Sequence, residues 1–229
     1  MKYIYETHLH TAESSACGAT NGKDYIQAYM DKGYAGIFVT DHFFNGNCAV
    51  PWNLQWNEKV ELYCAGYENA LNAAAGTDFQ VFFGIEYNFC GDEYLLYGLD
   101  KQWLKDHPEI MQVSHRELFQ LVDSAGGLVV QAHPFRVRSY IKSINLHPES
   151  VHAVEAYNTC NKAAENRQAV IYAAENKLPV TSGSDMHDKS WLYNSNFRTG
   201  GVGFDTRLLS AKDFVGRIKN GKDYEALFV

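Results

Sequence analysis

Most segments of this chain that read as β-strands run out into a residue able to bind a metal ion. The first ends in His8-Leu9-His10 and the second in Asp41-His42; others end in Glu86, His133, Glu155 and Asp185-Met186-His187. In an extended segment residues i and i+2 project to one face, about 6.6 Å apart, so His8 with His10, and Asp185 with His187, can converge on one ion. Each short motif alone is weak evidence: an H-x-H arises by chance about 0.35 times, and a D-x-H about 0.5 times, in a chain of this composition. Position is the stronger signal. Five of the nine histidines stand where a parallel α/β fold gathers its functional groups, beyond the carboxyl ends of the strands. Imidazole and carboxylate without thiolate suit Zn, Mn or Fe better than Ca or Mg. At least seven candidates exceed what one tetrahedral ion can use, so two ions, at most three, are expected, with Glu86 able to bridge them. The other four histidines serve as a control. His107 and His147 each precede a proline, His115 follows the N-cap Ser114, and His152 begins its strand on the face opposite to Glu155, so all four read as solvated or capping residues.

The elements that must position these groups alternate along the chain. Lys2 to His8 reads as a strand, Lys23 to Lys32 as a helix stopped by Gly33, and Gly36 to Thr40 as a strand, a βαβ unit. A helix over Asn57 to Ala75 follows, then strands over Gln80 to Ile85 and Tyr94 to Leu99. Ser114-His115-Arg116-Glu117 is a capping box opening a helix that ends at Gly126-Gly127. Strands over Leu128 to Ala132, Val151 to Tyr157 and Pro179 to Ser182, with a helix over Lys162 to Lys177, lead to a last strand (Gly201 to Phe204) and helix (Ser210 to Lys219). No linker or internal repeat interrupts the pattern, so residues 1–229 read as a single α/β domain, either a closed barrel or a doubly wound sheet.

Composition narrows the function classes. With 20 basic and 27 acidic residues the formal charge is −7, and no Lys/Arg-rich run supplies the footprint of a duplex DNA binder or an anionic-membrane binder. The opening residues reach Glu6 before any apolar stretch of signal-peptide length, and no run approaches the ~18 apolar residues of a membrane span. Five scattered cysteines without a C-x-x-C spacing argue against a disulfide framework or a zinc ribbon. A cytoplasmic protein is expected.

In this order the motifs resemble the PHP (polymerase and histidinol phosphatase) family of metal-dependent phosphoesterases. The resemblance spans most of the chain: His8-Leu9-His10-Thr11, Val39-Thr40-Asp41-His42, Gly84-Ile85-Glu86, Ala132-His133-Pro134 and Gly183-Ser184-Asp185-Met186-His187. It implies a distorted, TIM-like seven-stranded (β/α) barrel with up to three ions. It assigns His8, His10, Glu86 and Asp185 to one ion, Glu86 and His133 to a second, and His42 and His187 to a third, with Asp41 and Glu155 orienting ligands from behind. Two positions depart from the pattern. Ser15 and Ala16 stand where a His or Asp usually follows the H-x-H, leaving Glu13 as the nearest carboxylate to complete the third position. Leu95 stands where many members place a histidine, so the second ion is expected to be weakened.

The chemistry implied is metal-assisted hydrolysis of a small phosphate ester by an activated water at Glu86, with His42, His187 or Asp41 as the acid for the leaving alkoxide. Arg136 and Arg138, following His133 on one loop, are candidate phosphate contacts. Two alternatives stay open: an amidohydrolase-type attack on carbonyl carbon at the same ions, and a non-catalytic metal- or nucleotide-binding module. A serine nucleophile lacks its G-x-S-x-G elbow.

Overall fold

The computed structural model describes residues 2–139 and 141–228. β1 (Tyr3–Glu6), α1 (Gly22–Asp31) and β2 (Gly36–Val39) form the expected βαβ unit, with β1 and β2 parallel. The stretch anticipated as one helix over 57–75 is two, α2 (Trp56–Tyr63) and α3 (Ala65–Ala74), which meet at Cys64. β3 (Gln80–Phe89) runs four residues beyond the expected Ile85, so Glu86 lies within the strand, and turns back directly into β4 (Asp92–Tyr97). The turn is Cys90-Gly91, both at positive φ (57° and 131°), the left-handed backbone that a two-residue hairpin loop demands.

A short α4 (Lys101–Asp106), capped by the Asp100 side chain on Trp103 N–H, precedes α5 (His115–Ser124). The capping box of α5 forms as the sequence indicates, Ser114 and Glu117 each satisfying the other's backbone N–H. β5 (Leu128–Ala132), β6 (Ala153–Asn158), α6 (Ala163–Glu175), β7 (Val180–Gly183), β8 (Gly200–Phe204), α7 (Ala211–Asn220) and β9 (Tyr224–Phe228) complete the described chain.

The sheet has nine strands in the order β7-β6-β5-β4-β3-β2-β1-β8-β9, two more than the resemblance implied. Its parallel character is broken at β4, which pairs antiparallel with both β3 and β5, and at β8, which pairs antiparallel with β1 and β9. A hairpin rather than a helix joins β3 to β4, because the Cys90-Gly91 turn is too short for a crossover. The sheet curls into a nearly closed barrel where β7 meets β8. A Cβ on Gly200 would lie 2.4 Å from the Gly183 carbonyl, so only a glycine permits this approach, and Gly201 N–H donates to the Ser182 hydroxyl across the same seam. The floor is apolar: Phe38, Leu95, Tyr97 and Phe204 pack with Phe214 and Ile218 of α7, which plugs the end opposite the strand-end histidines and carboxylates. Burying this layer fixes the barrel wall, and with it the rim from which the polar side chains project.

Candidate metal centre

Two backbone bridges assemble the cluster. Residues 8–10 run beside 185–187, with His10 N–H donating to Met186 O (2.8 Å) and Met186 N–H to His8 O (3.0 Å). Leu9 and Met186, the central residues of the two triplets, are fully buried in one apolar cluster. Alternation therefore sends His8, His10, Asp185 and His187 to the other side. A second bridge joins His42 to Glu86: Phe43 N–H donates to Glu86 O (2.8 Å) and Glu86 N–H to Asp41 O (3.0 Å).

Glu86 sits at the centre. Its Oε1 lies 3.1 Å from both His8 Nε2 and His133 Nε2, and its Oε2 lies 2.6 Å from His42 Nδ1 and 3.4 Å from His10 Nε2. Asp185 Oδ1 is 3.1 Å from His10 Nε2 and 3.5 Å from His8 Nε2. Ligand-capable atoms converge in four overlapping groups: His8/His10/Asp185, His8/Glu86/His133, His42/Glu86/Glu93 and His10/His42/His187.

Further contacts fix which atom of several of these side chains faces inward. Glu155 Oε1 lies 2.9 Å from His8 Nδ1, leaving His8 Nε2 for the cluster, while Glu155 Oε2 accepts from Asn158 Nδ2. A register shift between β6 and β7 at Glu155–Tyr157 lies at this carboxylate; such bulges re-aim side chains. The Ser15 hydroxyl donates to Asp41 Oδ1 (2.6 Å) and accepts from His42 N–H (3.0 Å) and His10 Nδ1 (3.1 Å), so Asp41 reaches His10 through Ser15. His187 Nδ1–H donates to Asp185 O (2.8 Å), leaving its Nε2 free to bind. Two of these donor residues carry backbone strain: His133 and Asp185 have φ of 29° and 56°, conformations that persist only where the surroundings impose them.

Charge is balanced unevenly. Burial opposes a charged His8, but Glu155, Asp185 and Glu86 together hold its pKa well above the ordinary value. Burial, then the neighbouring His42 and His187, push His10 well below it. Burial works against ionised Glu86 and Asp185, yet adjacent imidazoles, and Arg136 for Asp185, keep both well below the usual carboxylate range. Burial, and then Glu86, raises Glu93. Burial raises Asp41 to about 7 against the hydrogen bonds it accepts. Cys17 is lowered to about 6: partial burial opposes this, and hydrogen bonds from His187 and His42 outweigh it.

Above the cluster opens a cleft of about 580 Å³ whose walls include His42, His187, Asn45, Asn88 and Arg136. A groove of about 550 Å³ along α6 is apolar, lined by Tyr157, Ile171 and Phe228, and holds none of the convergent donor groups.

The structure brings together His8, His10, His42, Glu86, His133, Asp185 and His187, and keeps Asp41 and Glu155 behind them. Glu13 is not among them: Ser14 and Ser15 turn inward, and Glu13 turns outward to accept from the Gly22 N–H (3.0 Å) at the start of α1 and from Asn69 Nδ2 (3.0 Å). Arg136 lines the cleft, where its Nη2 pairs with Asp185 Oδ2 (2.6 Å) and donates to Asn158 Oδ1. Arg138 points away, held by Cys160 O and Glu165. Asp41 does not reach the cleft, since Thr11 N–H, the Thr11 hydroxyl and Ser15 occupy its oxygens.

Two residues of the site escaped the sequence reading. Leu95 is buried in the barrel floor, and Glu93, two residues earlier on the same face of β4, brings its Oε2 to 3.5 Å from His133 Nε2. The shared parity of 93 and 95 was the available signal. Cys17, in the loop after His10, reaches the cleft mouth; nothing in its local pattern marked it. Of the control histidines, His152 pairs with Asp123 and His107 with Glu109, while His115 stacks on His147 beside Asp92 on the outer face of β4.

The fold is shared with PHP-like metal-dependent phosphoesterases. No family model matches the chain, and no curated protein does. Among solved structures it is similar to a two-domain protein from Bacteroides vulgatus containing a predicted PHP-like metal-dependent phosphoesterase (15% identity, TM-score 0.73), which matches 100% of this chain over 65% of its own. The chain thus spans just under two thirds of that neighbour. It is also similar to a Bifidobacterium adolescentis protein provisionally described as a metal-dependent phosphoesterase (15% identity, TM-score 0.60, 95% of this chain and 96% of that one). A third likeness is to an amidohydrolase from Chromobacterium violaceum with bound sulfate and no metal (15% identity, TM-score 0.54, 80% and 87%). Among the described residues no helix is long and apolar enough to cross a membrane.

Proposed function

We propose that this chain is a metal-dependent hydrolase, and specifically a phosphoesterase acting on a small phosphorylated substrate with zinc, manganese or iron. One observation carries the reading. Four buried side-chain atoms, His8 Nε2, His10 Nε2, His42 Nδ1 and Glu86 Oε2, have no hydrogen-bond partner. Leaving such a group unsatisfied costs about 1–3 kcal/mol each, and all four face one another within the same cluster. Cations satisfy them together, and the donor set of imidazole and carboxylate fits a divalent transition ion.

His8, His10 and Asp185 would hold one ion, Glu86 with His133 and Glu93 a second, and His42 with His187 an outer one. Ions bound there supply Lewis acidity and a water acidic enough to react near neutral pH. Glu155 and Ser15 hold His8 and His10 in the binding tautomer. Arg136, anchored by Asp185 and Asn158, presents a cation to the cleft; this favours an anionic phosphate over a neutral amide. Asp41 acts through Ser15 rather than as an acid. Assigning His42 and His187 to an ion leaves solvent in the open cleft to protonate the departing alkoxide.

The test is metal analysis of protein purified without chelator, followed by a screen with Mn, Zn and Fe against sugar phosphates, nucleotides and histidinol phosphate, with amides and lactones alongside. Phosphate release that requires metal and disappears when His8 and His10 are both replaced is the expected result. Hydrolysis of amides alone moves the chemistry to carbonyl carbon, and full activity without metal overturns the reading.

A further inference from the structure

The outer face of β4 carries a second group of convergent donors, made by residues that the inner cluster does not use. Asp92, His115 and His147 bring one donor atom each within 4.8 Å of one another. They come from three separate segments: Asp92 opens β4 after the hairpin turn, His115 opens α5, and His147 lies in the loop between β5 and β6. Consecutive strand residues face opposite ways, so Glu93 turns to His133 while Asp92 turns to His115 and His147. His115 Nε2 lies 2.7 Å from Asp92 Oδ2. The His115 ring stacks on both Phe89 and His147, at centroid distances of 3.9 and 3.8 Å.

The surroundings of Asp92 give an independent reason to place a cation here. Its carboxylate belongs to a residue only 8% exposed, yet among the described residues no lysine or arginine pairs with it. A second carboxylate stands beside the group: Glu149 Oε1 lies 3.6 Å from His147 Nδ1 and likewise has no lysine or arginine partner. Buried charges in proteins are paired or coordinate metals, and two acidic groups here face only imidazoles. The Tyr94 hydroxyl donates to Asp92 Oδ2 (2.9 Å) and Asn145 Nδ2 donates to Oδ1 (3.2 Å). Hydrogen bonds of this kind hold a ligating carboxylate in its orientation.

We infer that Asp92, His115 and His147 form a zinc site separate from the inner cluster, with water in the fourth position, and that its ion staples the β3–β4 hairpin, the start of α5 and the β5–β6 loop together. Two imidazoles, a carboxylate and a water make up the tetrahedral shell of zinc, whereas calcium and magnesium call for oxygen throughout. The ion takes the place of the hydrogen between His115 Nε2 and Asp92 Oδ2. That proton moves to His115 Nδ1, or to solvent where the ring carries both protons, and no oxidation state changes. His147 sits on a loop, so its ring tilts out of the stack to aim its lone pair at the same ion. The β5–β6 loop also carries Arg136, and the staple therefore anchors the far end of the segment that presents a cation to the cleft.

Zinc content and thermal stability of the whole chain test this without recourse to activity. After zinc loading and gel filtration, elemental analysis should find one zinc ion fewer per chain in His147→Gln than in the wild type, and the same in Asp92→Asn. His107→Gln, at a histidine paired with Glu109, should keep the wild-type content. Against a competing chelator, His147→Gln should weaken this position by at least the ~10–100-fold that follows loss of an outer-shell partner. In a chain with His8 and His10 both replaced, zinc should still raise Tm, and adding His147→Gln should diminish that rise. Equal zinc content in the wild type and His147→Gln, or an equal loss in His107→Gln, overturns the inference. That comparison leaves the inner cluster unchanged, so it decides even where replacing His8 and His10 prevents folding. Metal-dependent phosphate release with a zinc content indifferent to His147 overturns this site alone. Zinc that depends on His147, in a chain without metal-dependent hydrolysis, supports this site and overturns the hydrolase reading alone.

Discussion

Glu155 Oε1 lies 2.9 Å from His8 Nδ1, both side chains fully buried, and this contact decides which nitrogen of His8 faces the ligand cluster. It arises between β6 and the segment after β1, residues separated by 147 positions.

Glu155→Gln keeps the shape and removes the charge that fixes the imidazole. Metal affinity should fall about 10–100-fold, as on loss of other outer-shell partners, while the far-ultraviolet circular dichroism stays unchanged. Unaltered affinity by chelator competition would show that His8 is oriented by packing alone.

Glu93 and Glu13 separate the structural assignment from the sequence one. Glu93→Gln should weaken or remove one ion per chain, read by elemental analysis after gel filtration. Glu13→Gln should leave the metal content intact and cost about 0.3–1 kcal/mol, the worth of a carboxylate at a helix N-terminus. The opposite pattern would return Glu13 to the site.

Gly183→Ala should destabilise the barrel and the site at once. The added Cβ would meet Glu155 Oε1 and His8 Cβ, each at 2.6 Å, an overpacking that costs roughly 1–3 kcal/mol, or about 2–4 °C in Tm for each kcal/mol. Gly216→Ala, in α7 with open space around it, is the control and should stabilise by about 0.4–1 kcal/mol. Equal Tm values for the two variants would contradict the close packing at Gly183.

In the metal-free protein burial disfavours charged His8 and His42, but surrounding carboxylates hold both well above the reference 6.5. A folded value above the unfolded one gives stability that is full below about pH 6.5 and is lost as pH rises through the folded value. Metal-free protein should therefore lose Tm on the alkaline side, where the carboxylates lose their protonated partners, and metal-loaded protein should not. Ion binding must displace those protons, so affinity should rise with pH. Calorimetric titration in two buffers of different ionisation heat counts the protons released, and zero release near pH 7 would refute the balance.

Much of the site is legible in sequence because its signals are local. Period-two alternation puts His8 and His10 on one face, and likewise Asp185 and His187, whatever the rest of the chain does; the Leu9–Met186 bridge shows both pairs turned to the same side. The Ser114–Glu117 capping box is likewise self-contained. The strand count was less legible: β9 follows directly on α7 and is only half-buried, so its pattern is faint.

Parity alone cannot say which rung of a strand reaches an ion. Leu95 and Glu93 share a face, and the register that sets Leu95 opposite Glu86 and Glu93 opposite Asn88 and Ala132 decides between them. Glu13 and Cys17 lie in one loop with no repeating geometry; its backbone bonds to Asn47 O and His187 O, made by residues distant in sequence, turn the glutamate out and bring the thiol to the cleft. The sequence by itself determined the candidate donor types, their order and their faces, because these follow from neighbours along the chain. Tertiary structure alone decided which donors meet, because that depends on hydrogen bonds and packing between segments that the chain order does not specify.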